Sequence, residues 1–151
     1  MKSILLFATL FYSSFLIGQS AILLPPDNVI KAFEKQYPKK KVTWDVEYSS
    51  KNEDVTFEAK FYDKPKTLAF AYFDKEGNFK VYKLQIPLTK LPQKAQSYLK
   101  TNYSVKSFKQ SFSAVDFENI KSYETGVIKD SKFYKIVFDE NGEFTKRVQI
   151  R

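Results

Sequence analysis

The side chains of this sequence that could do chemistry are carboxylates, tyrosines and lysines, because its 151 residues include no His and no Cys. Without these residue types, neither a Ser-His-Asp triad nor a Cys-His nucleophile pair can be assembled. The preferred ligands of a zinc site are also missing. The sequence contains no Gly-rich phosphate-binding loop. It therefore predicts no metal site and no cofactor.

Carboxylates remain as acid–base groups, so one hypothesis is an enzyme that uses two of them, as glycosidases do. Such an enzyme needs two acids that lie close together in a cleft and have perturbed pKa values. Asp45, Glu47 and Glu58 instead occupy the polar positions of segments that alternate with apolar residues. That pattern is typical of solvated acids on a strand. We therefore predict that the protein is not an enzyme.

Aromatic side chains favour a binding function instead, since they make up 17% of the chain. A tyrosine combines an apolar ring with a hydroxyl group, and this mixture is enriched at recognition surfaces. The alternative is that the tyrosines edge the core with their hydroxyls in water. The candidate binding residues are Trp44, Tyr48, Tyr62, Tyr72, Tyr82 and Tyr134. The sequence does not indicate which face of the sheet Trp44 occupies.

The net charge of +8 comes mainly from lysine, because Arg147 and Arg151 are the only arginines. Proteins that read nucleic acids generally use arginine for bidentate contacts, so we expect no nucleic-acid partner. A lysine-rich surface is either simply solvated or attracts an acidic partner or an anionic surface of the cell envelope.

Residues 1–20 have the features of a signal peptide. Lys2 provides a positive start, residues 4–17 form an apolar run, and Gly18-Gln19-Ser20 ends in a small residue. The run is shorter than the about 20 residues of a membrane-spanning helix. We expect cleavage near Ser20, a periplasmic or secreted location and no transmembrane anchor in the mature chain. Without Cys, that chain can form no disulfides and depends on its hydrophobic core.

Two separated blocks of the sequence recur at nearly the same spacing. Residues 26–37 resemble residues 92–103, and residues 72–79 resemble residues 137–144. In the second pair of blocks Phe, Asp, Gly and Phe coincide. The recurrence predicts a duplicated unit, with repeat one at about 25–87 and repeat two at about 88–151.

Hydrophobic periodicity places one helix and four strands in each unit. Pro26 and Pro92 suit the first helical position, and apolar residues at helical spacing follow both. The predicted strands are 42–48, 55–61, 68–73, 79–86, 105–113, 122–128, 133–138 and 144–150. Asp74 to Gly77 and Asp139 to Gly142 are expected to be hairpin turns, in which Asp accepts hydrogen bonds from the backbone amides that follow it and Gly adopts a positive φ. The alternative is a calcium site, but such a site needs more oxygen ligands than either segment supplies.

The predicted fold class is α+β, a tandem repeat of a helix plus a four-stranded antiparallel sheet. The helices are expected to pack on one face of a continuous curved sheet. Helices on one face leave the other face solvated, covered or used.

The motif Pro-x-x-Val-x-x-Ala-Phe-x-x-x-Tyr-Pro at residues 26–38, followed by Trp44 and Phe73-Asp74-x-x-Gly77, resembles the PepSY-like domain family. These exported proteins are also described as similar to the β-lactamase inhibitory protein. The resemblance covers residues 21–151 and implies tandem units whose strands form one concave sheet facing a target enzyme. In the second unit Gln110 aligns with Trp44 and Ser104 with Pro38, and the disulfides of the inhibitor are missing.

The leading hypothesis is an exported binding module that holds or inhibits another envelope protein through an open sheet face. The alternative is a structural or stress-related envelope component that binds an anionic polymer through surface lysines. Added salt separates the two, because it weakens a contact between charges far more than one between rings.

Overall fold

The computed structural model describes residues 24–48 and 55–150 as an α+β fold, in which two helices accompany one antiparallel eight-stranded sheet. The predicted signal peptide, residues 1–20, lies outside the described residues. The helices are α1 (Asp27–Gln36) and α2 (Gln93–Asn102). The strands are β1 (Val42–Tyr48), β2 (Val55–Lys64), β3 (Thr67–Asp74), β4 (Phe79–Ile86), β5 (Phe108–Asp116), β6 (Lys121–Lys129), β7 (Lys132–Asp139) and β8 (Phe144–Ile150).

The strands lie in the sheet in chain order, each antiparallel to the next, so β1 and β8 are its edges. Short turns join β2 to β3, β3 to β4, β5 to β6, β6 to β7 and β7 to β8, whereas α2 and two 3₁₀ turns separate β4 from β5. Within the described residues, no helix is both long and apolar enough to cross a membrane.

Both helices begin directly after a proline. The carbonyl of Pro26 accepts hydrogen bonds from the amides of Val29 and Ile30, so this proline is the N-cap of α1. The sequence had predicted Pro26 as the first residue of the helix, one position later in the helix than its actual place. Pro92 holds the same position before α2. In α1 the apolar positions recur every three to four residues, so the side chains of Val29 and Phe33 point towards the core and are buried.

All eight predicted strands agree with the structure to within three residues at each end, and the predicted β5 both begins and ends three residues too early. Residues 105–107 form a 3₁₀ turn, and Val105 is exposed rather than paired. The strand continues to Asp116, whose carboxylate accepts the amides of Glu118 and Ile120 and so closes the next hairpin. The hydrogen bonds of that turn, rather than hydrophobic alternation, set the end of β5.

Cross-strand register shows that the two helices pack on the same face of the sheet. Directly paired residues project to one face, and an unbroken series of such pairs connects Ala69, Leu84, Ser113, Tyr123 and Phe138. The first two belong to the core under α1, and the last two to the core under α2. We call this the helix face and the opposite side the open face.

The β3–β4 and β7–β8 turns confirm the predicted hairpin chemistry. The Asp74 carboxylate accepts the amides of Glu76 and Asn78, and Asp139 forms the corresponding pair of bonds in its own turn. Gly77 and Gly142 have φ of +84° and +81°. A Cβ at Gly142 would lie 2.6 Å from Cβ of Pro92. Glycine is therefore required there both by backbone conformation and by close approach to α2.

Candidate functional site on the open face

The open face carries a group of apolar side chains that no described helix covers. They come from β2, β3 and β5–β8, because these positions alternate with the core residues of the same strands. The group consists of Tyr62, Leu68, Phe70, Phe112, Ile128, Phe133, Val148 and Ile150. Tyr62, Ile128, Phe133, Val148 and Ile150 are all exposed, which distinguishes this surface from a second core.

A network of polar side chains, which we call the polar network, crosses the middle of the open face. The Tyr72 hydroxyl donates to Oε2 of Glu58 at 2.6 Å. Nζ of Lys83 lies 4.9 Å from the centre of the Tyr72 ring and donates to Oε2 of Glu124 at 3.0 Å. Nζ of Lys135 lies 3.9 Å from Oε1 of Glu124. The network thereby connects strands of the first half of the sheet with strands of the second.

Burial shapes the protonation of this network. It raises the pKa of Tyr72, and the bond to Glu58 raises it further, so the hydroxyl stays a neutral donor. Burial also raises the pKa of Glu58, and the neighbouring charges of Glu47 and Asp45 add to this, against the opposing hydrogen bond from Tyr72. Asp45 lies directly opposite Glu58 in the β1–β2 pair.

Asp45, Glu47 and Glu58 are the acids considered for carboxylate chemistry on the basis of the sequence. Asp45 and Glu47, however, are exposed, and the Asp45 carboxylate accepts the amide of Val46. Of the three acids, Glu58 alone is partly buried, and it is held in a hydrogen bond with Tyr72. Among the described residues, no three His, Cys, Asp or Glu side chains are grouped to hold a metal ion.

Next to the polar network lies an apolar depression with a volume of about 450 Å³. Its apolar lining is formed by Phe112, Gly126, Phe133 and Ile150, and its polar lining by Lys109, Gln110, Glu124 and Lys135. A Cβ at residue 126 would lie only 2.7 Å from Cζ of Phe133. The Phe133 ring therefore lies over the glycine, and the absence of a side chain at residue 126 shapes the floor of the depression.

A second depression, of about 540 Å³, adjoins the first and lies towards β2 and β3. Tyr62 and Leu68 line it, and Gln110 lines both depressions. The rings of Phe70 and Phe112 meet edge to face, with centroids 5.5 Å apart. The apolar surface consequently extends from the β2–β3 hairpin to the β8 edge.

Of the six binding residues predicted from the sequence, the structure places two on the open face. Tyr62 is 62% exposed, whereas Tyr72 is buried, with 8% exposure. Tyr48 ends β1, and its side chain lies outside the described residues.

The other three lie on the helix face. Trp44 is half-buried and meets the ring of Phe33 edge to face at 5.4 Å. Tyr82 stacks on Tyr37 at 5.8 Å, and Tyr134 packs on the core under α2. The structure therefore does not bring these three side chains together with Tyr62 and Tyr72. Their rings extend the core, as in the alternative interpretation of the tyrosines.

Gln110, which the internal comparison aligned with Trp44, lines the open-face depressions instead. The register of β5 and β6 shifts between Phe108 and Ser111, which is a bulge beside Gln110. A bulge changes the side to which the following residues point. Trp44 and Gln110 therefore lie on opposite faces of the sheet.

Sequence reasoning missed most of the apolar depression, although one signal was available. Gly126 stands inside the predicted strand 122–128, and an isolated glycine in a strand often marks a close approach of another group. Phe112, Phe133 and Ile150 carried no comparable signal, because an alternating strand pattern does not reveal which face the helices cover.

Comparison with known proteins identifies the fold. No protein-family model and no curated protein matches the sequence. Among solved structures, a Bacteroides eggerthii protein, described provisionally as periplasmic, matches with a TM-score of 0.67 and 17% identity over 84% of this chain and 90% of its own. The chain shares its fold.

Two further structures support this result. A DUF2874 family protein from Bacteroides uniformis has a TM-score of 0.65 and 15% identity over 83% of this chain and 90% of its own. A protein from Bacteroides fragilis described as BLIP-like has a TM-score of 0.60 and 14% identity over 86% and 89%. At such low identity the likeness shows the fold alone, and it does not single out the PepSY-like family. None of the three descriptions names an enzymatic activity.

Proposed function

We propose that this protein is an exported, non-enzymatic binding module that holds or inhibits another protein of the cell envelope through its open face. The observation that carries the proposal is the uncovered apolar surface from Tyr62 to Ile150, with the polar network beside it. A contiguous apolar surface rimmed by polar groups is typical of an interaction site.

Export and duplication belong to the same proposal. The mature chain would begin after cleavage near Ser20 and act in the periplasm or outside the cell, a location that the description of the Bacteroides eggerthii structure favours. The two Asp-to-Gly turns, each pressed against the start of a helix, support an origin by duplication with units at about 25–87 and 88–151. The first of these turns, Asp74 to Gly77, is part of the PepSY-like motif and so also supports membership of that family.

The rings of Tyr62, Phe70, Phe112 and Phe133 would provide the anchors of the contact. Each ring has a large apolar area, and each residue belongs to a strand whose backbone is already ordered. Little conformational entropy is therefore lost on binding. The polar network would position them, because Lys83 and Glu124, which bond to each other, are the direct cross-strand partners of Phe70 and Phe112. Truncating one central anchor typically costs about 1–3 kcal/mol of binding free energy.

Site-specific photo-crosslinking in the native envelope tests the proposal. A photoreactive amino acid replaces Tyr62 or Phe133 on the open face, and in matched controls it replaces Lys31 or Lys100, which are exposed on the helices. We expect a discrete crosslinked partner from the open-face positions and none from the helix positions. Equal crosslinking from both sets, or no crosslinking from either, would refute an open-face binding site.

The partner is then purified and its affinity measured. Phe133→Ala should weaken binding, whereas Phe117→Ala, which removes an exposed ring from the β5–β6 turn, should not. Titration against a panel of β-lactamases and envelope proteases tests the inhibitor form of the proposal. Absence of inhibition throughout the panel would remove that form and leave binding in place.

The alternative, binding of an anionic polymer through surface lysines, is favoured by the excess of 25 basic over 17 acidic residues. Such binding should weaken steeply between 50 and 200 mM salt, on the order of tenfold or more for several contacts. It should also be indifferent to Phe133→Ala. Binding through the rings should show the opposite behaviour in both measurements.

A further inference from the structure

The apolar depression between β5 and β8 combines two properties that a flat protein interface does not require. It has a volume of about 450 Å³, within the range of roughly 300–1,000 Å³ found for small-molecule sites. Lysine side chains also stand at its rim. We propose that it binds a small amphipathic anion, an apolar chain or ring that ends in a carboxylate or another anionic group.

The floor of the depression explains the apolar part of this ligand. The Phe133 ring lies over Gly126, so a Cβ at that position would push the ring outward into the space that a ligand would fill. Phe112 and Ile150 form further apolar lining. Phe133 and Ile150 are 39% and 42% exposed, so a bound apolar group would remove a substantial area of both side chains from water.

The charges around the depression explain the anionic part. Glu124 is satisfied by Lys83 at 3.0 Å and by Lys135 at 3.9 Å. In the described part of the chain, none of the ion pairs includes Lys109, which lines the same depression. Among the residues that line the depression, Lys109 and Lys135 are positive and Glu124 is negative, so the surplus is one positive charge. An anionic head group near Lys109 and Lys135 would balance it, whereas a cationic head group would be repelled.

Titration of the mature chain with octanoate and with 1-octanol, followed by two-dimensional NMR, tests this proposal. The two probes share an eight-carbon chain and differ in the charge of the head group. We expect octanoate to shift the amides of Gly126, Phe133 and Lys135 in a saturable manner. We expect octanol to bind at the same place about five- to tenfold more weakly, because it lacks the lysine contacts.

Paired variants separate the two parts of the site. Phe133→Ala and Ile150→Ala should each weaken octanoate binding several-fold, while the control Phe117→Ala should leave it unchanged. Lys109→Gln should reduce the preference for octanoate over octanol, and the control Lys121→Gln should not. Both Phe133 and Ile150 are partly exposed, so we expect their variants to remain folded, which the dispersion of their NMR spectra shows directly.

The proposal is overturned by three results: shifts scattered over the surface, equal affinity for octanoate and octanol, or unchanged binding in both Phe133→Ala and Ile150→Ala. It does not depend on a protein partner. Loss of octanoate binding together with intact open-face crosslinking would refute the small-molecule site alone. The reverse pair of results would refute the protein-binding proposal alone.

Discussion

Replacing Glu124 with alanine should destabilise the protein much more than the same change at Glu143. Both residues accept an ion pair from a lysine of a distant segment, but their surroundings differ. The side chains of Glu124 and Lys83 are only 15% and 14% exposed, and Lys135 approaches the same carboxylate. The side chains of Glu143 and Lys94 are 59% and 63% exposed. The two sites are therefore a matched comparison of a buried and an exposed pair.

The magnitude follows from what remains after each truncation. Removing one partner of a fully buried ion pair costs about 3–5 kcal/mol, because a charge is left desolvated without compensation. Glu124→Ala leaves Lys83 in that condition and removes the carboxylate that Lys83 shares with Lys135, but the remaining exposure of Lys83 lets some water reach it. We therefore expect a loss of about 2–4 kcal/mol in the free energy of unfolding. At Glu143 water solvates the freed lysine, and the change should be small.

Urea unfolding monitored by the fluorescence of Trp44 and by circular dichroism measures both variants. A double-mutant cycle with Lys83→Met then isolates the pair. Removing both charges should recover part of the loss, with a coupling energy of about 1–3 kcal/mol. An unchanged dependence of the free energy on urea concentration would show that the variants unfold from the same compact state.

The reasoning fails if Glu124→Ala and Glu143→Ala are equally stable, or if the double variant loses the sum of the two single changes. Either result would mean that water reaches the Lys83–Glu124 pair freely. The polar network would then not hold the strands of the open face in place.

Three further changes have defined outcomes. Gly142→Ala should cost about 2–4 kcal/mol, since it adds left-handed strain to a clash with Pro92, and thermal unfolding should show it. The raised pKa of Glu58 means that its favourable contribution is complete below pH 4.5 and is lost as pH rises through the folded pKa. E58Q should therefore be more stable than the native protein at pH 7, and this advantage should disappear near pH 4. Burial raises the pKa of Tyr37 and of Tyr82 to about 12. Stability should consequently fall between pH 10 and 12, and less so in Tyr37→Phe, as followed by absorbance at 295 nm.

Each of these expectations has a contrary result. A Gly142→Ala protein as stable as the native one would show that the turn can move away from α2. An E58Q advantage that is independent of pH would assign the effect to packing instead of charge. Titration of both tyrosines near pH 10 would place their hydroxyls in water.

Local features of the sequence predicted most of the elements. Both helices begin one residue after the predicted first positions, Pro26 and Pro92. Three strands, including Phe79–Ile86 and Phe144–Ile150, agree at both ends. The turns at Asp74 and Asp139 were predicted with their hydrogen bonds. These features depend on residues a few positions apart, which a single sequence displays directly.

The candidate site was much less predictable. Alternation grouped Trp44 with Val42 and Val46 on one side of β1 but could not say that α1 would cover that side. The bulge beside Gln110 also changes the face of the sheet to which the following residues of β5 point. No local sequence pattern predicted this bulge. Three of the six predicted binding residues consequently lie on the helix face.

The sequence by itself determined which reactive residue types the chain contains and the order of its helices and strands, because residue types and short-range periodicity are properties of the chain alone. Only the tertiary structure decided which apolar side chains form the core and which remain on the open face. Phe133 and Phe138 belong to the same strand, but Phe138 is buried under α2 and Phe133 lies exposed over Gly126. The difference arises because helices cover one side of the sheet, and that choice depends on the packing of residues far apart in the chain.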